Sequence, residues 1–135
     1  MKFHQKDFTE ELKTKINNTE SVLKEHNVEL SKDYKSIFSK KKLILNVDFD
    51  KEGEDPFEPG YSSSLVLGVS DRANKNGELM DLHRIKIWEC ERIFLGIPIS
   101  ANLPGSKIIG ELLDESVEEI KEELKEYIEE FLNEG

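Results

Sequence analysis

The stretch that decides the fold class is Lys42–Asp50, which reads KLILNVDFD. Leucine, valine and phenylalanine occupy every second position in it, and this is the period of a β-strand with one buried face. Ser63–Ser70 (SSLVLGVS) predicts a second strand, and Leu82–Trp88 predicts a third. The loop between the first two strands, Glu52–Tyr61, holds two prolines and two glycines. Consecutive strands without helices between them predict an antiparallel sheet.

The segments that follow the third strand are shorter. Arg92–Ile99 (RIFLGIPI) predicts a fourth strand, or an extension of the third beyond a bend at Trp88–Glu91. Pro98 cannot donate a ladder hydrogen bond, so we expect this segment at an edge of the sheet. Asn74–Gly77 (NKNG) predicts a tight turn, because asparagine and glycine tolerate positive φ. Lys107–Leu113 is a short apolar piece that leads into the last helix.

Helical spacing of apolar residues appears near both ends of the chain. The first helix is predicted over Asp7–His26, and Asp7 with Glu10 has the spacing of a capping box. A shorter helix is predicted over Lys32–Phe38. The start of the last helix is indicated by Asp114 and by Ser116 with Glu119, which have the spacing of a second capping box.

This order of elements predicts an α+β fold with a single antiparallel sheet of about four strands. The N-terminal helix and an acidic C-terminal helix are expected to pack on that sheet. A length of 135 residues predicts one domain, residues 1–135, which can bury a core without disulfides.

Composition predicts a soluble, cytoplasmic protein. Hydrophobic residues make up 36% of the chain and charged residues another 36%, but the apolar residues are periodic, which favours folding over disorder. The single cysteine, Cys90, cannot form an internal disulfide, and this fits a reducing compartment. We expect neither a secretory signal nor a membrane span, because the apolar runs are only a few residues long.

Charge is distributed unevenly along the chain, whose formal net charge is −10. Residues 1–47 carry ten basic and seven acidic groups, whereas residues 111–135 carry two basic and eleven acidic groups. Direct binding to nucleic acid is therefore not expected, since it requires cations that displace counterions from phosphates. A cationic protein is the natural electrostatic partner, although an acidic surface can also serve only solubility.

The C-terminal helix is predicted to have one apolar and one anionic face. Its apolar residues recur at three- and four-residue steps: Val117, Ile120, Leu124, Tyr127, Ile128 and Phe131. Its opposite face carries the candidate partner-binding residues Glu115, Glu118, Glu119, Glu122, Glu123, Glu126, Glu129 and Glu130. Like charges four residues apart destabilise a helix, so this face indicates a binding surface or a solubilising one.

The third strand offers a second candidate surface. Alternation places Arg84, Lys86 and Trp88 on one face and Ile85 and Ile87 on the other. If the isoleucines face the core, Trp88 and Arg84 become candidate partner-binding residues, because both types are frequent in interface hot spots. The alternative is that Trp88 packs beneath a helix while the two cations extend around it.

No catalytic or metal-binding constellation is predicted. Asp48, Asp50, Glu52 and Gly53 imitate the opening of a calcium loop, but Pro59 stands where that loop requires a glutamate. The three histidines lack ligand spacing relative to each other and to the cysteine, and no glycine-rich phosphate loop occurs. We therefore expect no cofactor, no metal and no enzymatic activity.

In size, charge and predicted architecture the whole chain resembles the immunity proteins that bacteria make against their own polymorphic or contact-dependent toxins. The resemblance implies tight, stoichiometric binding of a cationic toxin domain, often a nuclease, and occlusion of its active site. It transfers no functional residues, since it involves no diagnostic motif.

Two other classes of function stay open. One is another binding module, such as an accessory subunit or a phage-encoded DNA mimic. A DNA mimic would display its carboxylates on one face at phosphate-like spacing. The other is a small enzyme with a pocket around Asp81, His83 and Glu89. The oligomeric state and the order of the strands are not predicted by the sequence.

Overall fold

The computed structural model describes residues 1–72 and 79–133. The described elements, in chain order, are β1 Lys2–His4, α1 Glu10–Lys40, β2 Leu43–Glu52, β3 Ser62–Asp71, β4 Leu79–Phe94, β5 Ile97–Ile99, β6 Lys107–Leu112 and α2 Val117–Asn133. A single 3-10 turn, Gln5–Asp7, precedes α1. The turn predicted at Asn74–Gly77 lies outside the described residues.

Within the described residues the strands form one six-stranded antiparallel sheet with two helices, so the predicted α+β class is confirmed, whereas the predicted number of about four strands is too low. The sheet order is β1-β6-β4-β3-β2, and β5 pairs with β4 beside this path. Of the strands that were not predicted, β1 has three residues and is too short to show a period. The apolar piece at Lys107–Leu113 is strand β6, which pairs with β4 from Trp88↔Leu112 to Ile93↔Lys107. Arg92–Ile99 divides at a two-residue turn between β4 and β5.

The prediction of two separate N-terminal helices is wrong, because α1 runs without interruption from Glu10 to Lys40. The predicted break fell after His26, where a polar residue interrupts the apolar spacing. That residue, Asn27, is only 2% exposed. Its side-chain amide donates a hydrogen bond of 3.1 Å to the carbonyl oxygen of Asp48, so it continues the buried face of the helix.

The predicted cap of α1 is also wrong. Thr9 accepts a hydrogen bond of 3.2 Å from the backbone N–H of Leu12 and satisfies one of the free donors of the first turn. Asp7 instead accepts the backbone N–H of His4 within the preceding 3-10 turn. One half of the second predicted capping box is confirmed, since Ser116 accepts the backbone N–H of Glu119 at 3.2 Å, while the Glu119 carboxylate accepts from the Ser116 hydroxyl at 3.3 Å.

The Cα positions group into two compact units that share α1, β2, β3 and β4. One unit comprises Met1–Ser21, Asp50–Ser64 and Lys86–Asp114, and the other comprises Val22–Phe49, Leu65–Ile85 and Glu115–Gly135. Each unit buries its own set of apolar residues. The single domain inferred from chain length stays a prediction.

The core of the first unit is built around Trp88, which is 0% exposed. Its indole N–H donates a hydrogen bond of 2.7 Å to the carbonyl oxygen of Pro56. Three rings lie within about 6.5 Å of it, centroid to centroid: Phe3, Phe8 and Phe57. The other buried apolar residues of the unit are Leu12, Ile16, Tyr61, Ile87, Cys90 and Leu112. A buried hydrogen bond of 2.7 Å joins the Tyr61 hydroxyl to the Glu20 carboxylate.

In the second unit, α1 and α2 lie side by side and run in the same direction. Along the pair, the Tyr34 hydroxyl reaches Glu129 at 3.5 Å, and the Phe38 and Phe131 rings stack with centroids 6.3 Å apart. The largest buried side chains of this unit come from the two helices and from β3: Leu23, Phe38, Leu65, Leu67, Val69, Ile120, Leu124 and Ile128. None of the described helices has the length and apolar content that a membrane crossing requires.

Candidate protein-binding surface

The C-terminal helix α2 separates an apolar side from an anionic side, as its sequence predicts. Ile120, Leu124 and Ile128 are at most 1% exposed, which fixes the side of the helix that faces the core. All eight candidate glutamates are exposed to solvent: Glu115, Glu118, Glu119, Glu122, Glu123, Glu126, Glu129 and Glu130. Glu115 precedes α2 and the other seven lie on it, so the surface of the helix that they form is accessible to a partner.

These glutamates differ in how they are held. Glu119 contacts the Ser116 hydroxyl at the start of the helix, Glu123 lies 3.5 Å from the imidazole of His83, and Glu129 accepts from Tyr34. These three serve contacts within the fold.

Four of the remaining glutamates form one row at four-residue steps, which we call the acidic ridge: Glu118, Glu122, Glu126 and Glu130. At 1.5 Å per residue the ridge is about 18 Å long. Glu118 forms an ion pair of 3.8 Å with Lys121, and the other three have no polar contact with a described residue. Among the described residues, therefore, only the first member of the ridge forms an ion pair.

The charge of α2 is unfavourable toward the end of the helix. Glu118 and Glu119 lie in the first turn, where the helix dipole stabilises carboxylates. The last turn contains no basic residue, and Glu129 and Glu130 lie close to the negative end of the dipole. Helix stability alone therefore does not account for this distribution of charge.

Two contacts hold α2 on strand β4 within the second unit. The Tyr127 hydroxyl donates a hydrogen bond of 2.7 Å to Asp81, and the Tyr127 ring stacks on His83 with centroids 4.7 Å apart. Burial, followed by the hydrogen bond to Asp81, raises the pKa of the Tyr127 phenol. Nε2 of His83 is buried and has no hydrogen-bond partner among the described residues, and the Glu123 carboxylate lies 3.5 Å from it.

This cluster bears on the small-enzyme alternative, which placed Asp81, His83 and Glu89 in one pocket. The structure brings Asp81 and His83 together through Tyr127, whereas Glu89 is engaged by Lys86. The hydrogen bond to Glu89 raises the pKa of Lys86. A tyrosine whose proton is held by Asp81 acts as a hydrogen-bond donor that fixes α2 in place, and it is poorly suited to be a base.

Of the two alternatives that the sequence leaves open for Trp88, the structure shows the packed position and not the surface one. Strict alternation along β4 would bury Ile85 and Ile87 and expose Trp88, but Trp88 and Cys90 are buried as well. The buried positions change from odd to even numbers between Ile87 and Trp88, so one period does not describe the whole strand. Trp88 therefore belongs to the core and is removed from the candidate surface. Arg84 is exposed and keeps its place as a candidate.

The structure also gives the positions of the single cysteine, Cys90, and of the acidic segment that imitates the opening of a calcium loop. Cys90 is 0% exposed, and burial, with Asp55 and Glu91 adding to it, raises its pKa to about 11. A thiol with this pKa is a weak nucleophile at neutral pH. Asp48, Asp50 and Glu52 lie in strand β2, and the described residues contain no group of three or more side chains placed to hold a metal ion.

No protein-family model, curated protein or solved structure matches the chain. The assignment of function therefore depends on the chemistry of the surface itself.

Proposed function

We propose that the protein is a non-enzymatic binding protein whose acidic ridge captures a cationic protein domain, and that it neutralises a toxin domain as an immunity protein does. The observation that supports this proposal is the ridge itself. Four carboxylates are exposed in one row on a helix whose opposite side is anchored by Ile120, Leu124 and Ile128.

The energetics of the helix favour a role for the ridge beyond folding. Each glutamate pair four residues apart destabilises a helix by roughly 0.2–0.5 kcal/mol, so three successive pairs amount to about 1 kcal/mol, of which Lys121 and Lys125 offset a part. Replacing these residues by glutamine would remove the repulsion and retain the helical propensity. A charged ridge that opposes helix stability is explained if it contacts a partner.

A row of carboxylates suits a cationic partner for two physical reasons. It accelerates encounter, because the attraction between opposite charges acts over about a Debye length, roughly 8–10 Å at moderate salt. It also orients the partner, since each carboxylate accepts charge-assisted hydrogen bonds from lysine or arginine. Where the partner is a nuclease, the carboxylates would occupy the positions that substrate phosphates take.

The test compares three tagged proteins as baits in a lysate of the native host. The first is the unchanged protein. The second carries Glu122→Gln, Glu126→Gln and Glu130→Gln, which remove three ridge charges that have no described contact. The matched control carries Glu52→Gln, Glu54→Gln and Glu58→Gln, which remove three exposed carboxylates outside α2 and leave the same net charge.

We expect the unchanged protein and the control to retain one basic partner in stoichiometric amount, identified by mass spectrometry, and the ridge variant to lose it. With the purified partner, the ridge variant should bind about 10- to 100-fold more weakly at low salt, since three exposed charge pairs contribute roughly 0.5–1 kcal/mol each. Equal loss in both variants would mean that net charge alone drives the binding. Equal retention would place the partner on another surface. Capture of a DNA-binding protein without toxin activity would assign the ridge to DNA mimicry instead.

A further inference from the structure

Strand β2 is the last strand in the sheet order, so among the described residues it pairs with β3 alone. It has ten residues and contains no proline. An edge strand of this length presents a row of backbone groups that another strand can pair with. Its outward-facing side chains at the centre are Ile44, which is 43% exposed, and Asn46, neither of which is charged.

The charges at the two ends of β2 are opposite. Three consecutive lysines, residues 40–42, lead into the strand, and Asp48, Asp50 and Glu52 lie in its second half. The lysine end is held in the sheet, because the carbonyl oxygen of Lys42 accepts the backbone N–H of Arg72 at 2.9 Å. Because lysines lead into the strand and carboxylates lie in its second half, an antiparallel copy of the strand brings its acidic end beside the basic end of the first.

This order favours pairing with a second copy of the same strand in the antiparallel direction. When two β2 strands pair about a two-fold axis at Leu45, the turn that precedes β2, in which Lys42 has a φ of 61°, lies next to the Asp48 end of the other copy. A shift of the axis to Asn46 brings Lys42 next to Asp50, so the charges match in that register too. Parallel pairing in register would place like charges side by side, which is destabilising.

Hydrogen bonds near Asp48 limit the length of such a ladder. The Asp48 side chain accepts the backbone N–H of Phe49 at 2.9 Å, and Asn27 donates to the Asp48 carbonyl oxygen. These backbone groups are satisfied within the chain. The segment left for pairing is residues 43–47. Its centre is Leu45, and an axis at Leu45 brings Lys42 of one copy next to Asp48 of the other.

A groove beside this segment supplies further positive charge. It has a volume of about 520 Å³ and is bounded by residues 43–47 and by Ser31, Lys35 and Ser39 of α1, with Arg72 at its side. Arg72 is positioned by a hydrogen bond of 3.2 Å to the Ser39 hydroxyl. The two charged residues that line the groove, Lys35 and Arg72, are both cations. In the antiparallel arrangement residues 43–47 of the second strand lie along this groove, and its carboxylate end begins beside Lys42, whose carbonyl oxygen is hydrogen-bonded to Arg72.

We propose that two copies of the chain associate through antiparallel pairing of residues 43–47 of β2, with Lys42 and Arg72 of each copy next to Asp48 of the other. The interface is isologous, so every charge pair occurs twice. This association does not involve the acidic ridge and does not depend on the proposed function.

The test is sedimentation equilibrium of the purified protein, without any partner, over a range of concentrations at low and high salt. Three variants are compared with the unchanged chain: Lys42→Glu, Asp48→Lys, and the double variant with both changes. The control is Lys15→Glu, which makes the same charge change at an exposed position of α1 outside this interface. Circular dichroism checks that each variant is folded.

We expect a dimer that weakens as salt is raised. Each single reversal should raise the dimer dissociation constant about 30-fold or more, because it places two pairs of like charges in the interface. The double variant should restore the dimer, since it exchanges the charges without removing the pairs, and Lys15→Glu should match the unchanged chain. A monomer at every concentration would overturn the proposal. A dimer that both single variants leave intact would also overturn it, because the interface would then lie elsewhere.

Discussion

Substitution of Gly110 by alanine tests the packing of the first unit at its tightest point. Gly110 lies in β6 opposite Cys90, and its Cα hydrogen faces the ring of the buried Trp88. A Cβ atom at this position would lie 2.1 Å from Cη2 and 2.4 Å from Cζ2 of the indole. Both distances are far below van der Waals contact, so the ring or the strand must move.

The magnitude follows from what holds the ring in place. The indole is 0% exposed, lies among three phenylalanine rings and donates to Pro56, so it has little freedom to turn away. Overpacking of a core usually destabilises by about 1–3 kcal/mol, and partial loss of the indole hydrogen bond adds about 1 kcal/mol. We expect Gly110→Ala to lower the free energy of unfolding by about 3 kcal/mol. For a chain of this length that corresponds to a fall in Tm of roughly 10 °C.

The assay is thermal and urea unfolding followed by circular dichroism and by fluorescence of the only tryptophan. The control is Glu111→Ala, which changes the exposed neighbouring residue and should alter stability by less than about 0.5 kcal/mol. Trp88→Phe destabilises by itself, but it makes room for the new methyl group. The loss of stability in the double variant should therefore be smaller than the sum of the losses in the two single variants. If Gly110→Ala were as stable as the unchanged protein, the packing of Trp88 against β6 would be refuted.

Three further predictions concern buried or capping groups. Tyr61→Phe leaves the buried Glu20 carboxylate without its donor, and urea unfolding should show a loss of about 1–3 kcal/mol; an unchanged midpoint would contradict the buried pair. Because Cys90 has a folded-state pKa of about 11 against an ordinary 9.0, its contribution to stability is complete below pH 9 and is lost as the pH rises to about 11. The alkaline loss of stability should therefore be smaller by about 2–3 kcal/mol in Cys90→Ala, and equal losses would contradict this pKa. Thr9→Ala removes the cap of α1 and should lower the free energy of unfolding by about 1 kcal/mol, whereas Asp7→Ala should have a smaller effect.

The parts of the fold that follow one period were predictable from the sequence. In α2 the apolar steps identify Ile120, Leu124 and Ile128 as the buried side, and the structure buries all three. Ser116 was recognisable as the cap because its hydroxyl precedes Glu119 by three residues and the apolar spacing begins directly after it. The exposed glutamates follow from the same geometry, since they occupy the remaining faces of the helix.

Other features depend on tertiary contacts that a local pattern does not encode. Asn27 is polar and interrupts the apolar spacing of α1, yet the backbone of Asp48 makes its burial favourable and the helix continues through it. The position of Trp88 stayed open between the surface and the core, because a change in the parity of buried residues within β4 cannot be predicted from alternation. Strand β1 is stabilised by pairing with β6 over a sequence separation of more than a hundred residues, and its three residues contain no signal of their own.

The candidate surface was only partly predictable from the sequence. The ridge is a property of one helix and could be located from sequence spacing. The contacts that distinguish Glu123 and Glu129 from the ridge come from His83 and Tyr34, which lie far away in sequence. The groove beside β2 likewise combines residues of α1, β2 and Arg72, so only the fold identifies it.

The most direct test of the central claim is carboxyl footprinting of the complex with the captured partner. Exposed carboxylates are labelled with a carbodiimide and an amine, and mass spectrometry measures the labelling of each residue with and without the partner. The account predicts that Glu118, Glu122, Glu126 and Glu130 are labelled in the free protein and protected in the complex, whereas Glu54 is labelled equally in both. Ridge glutamates that stay fully labelled in a stoichiometric complex would contradict the account.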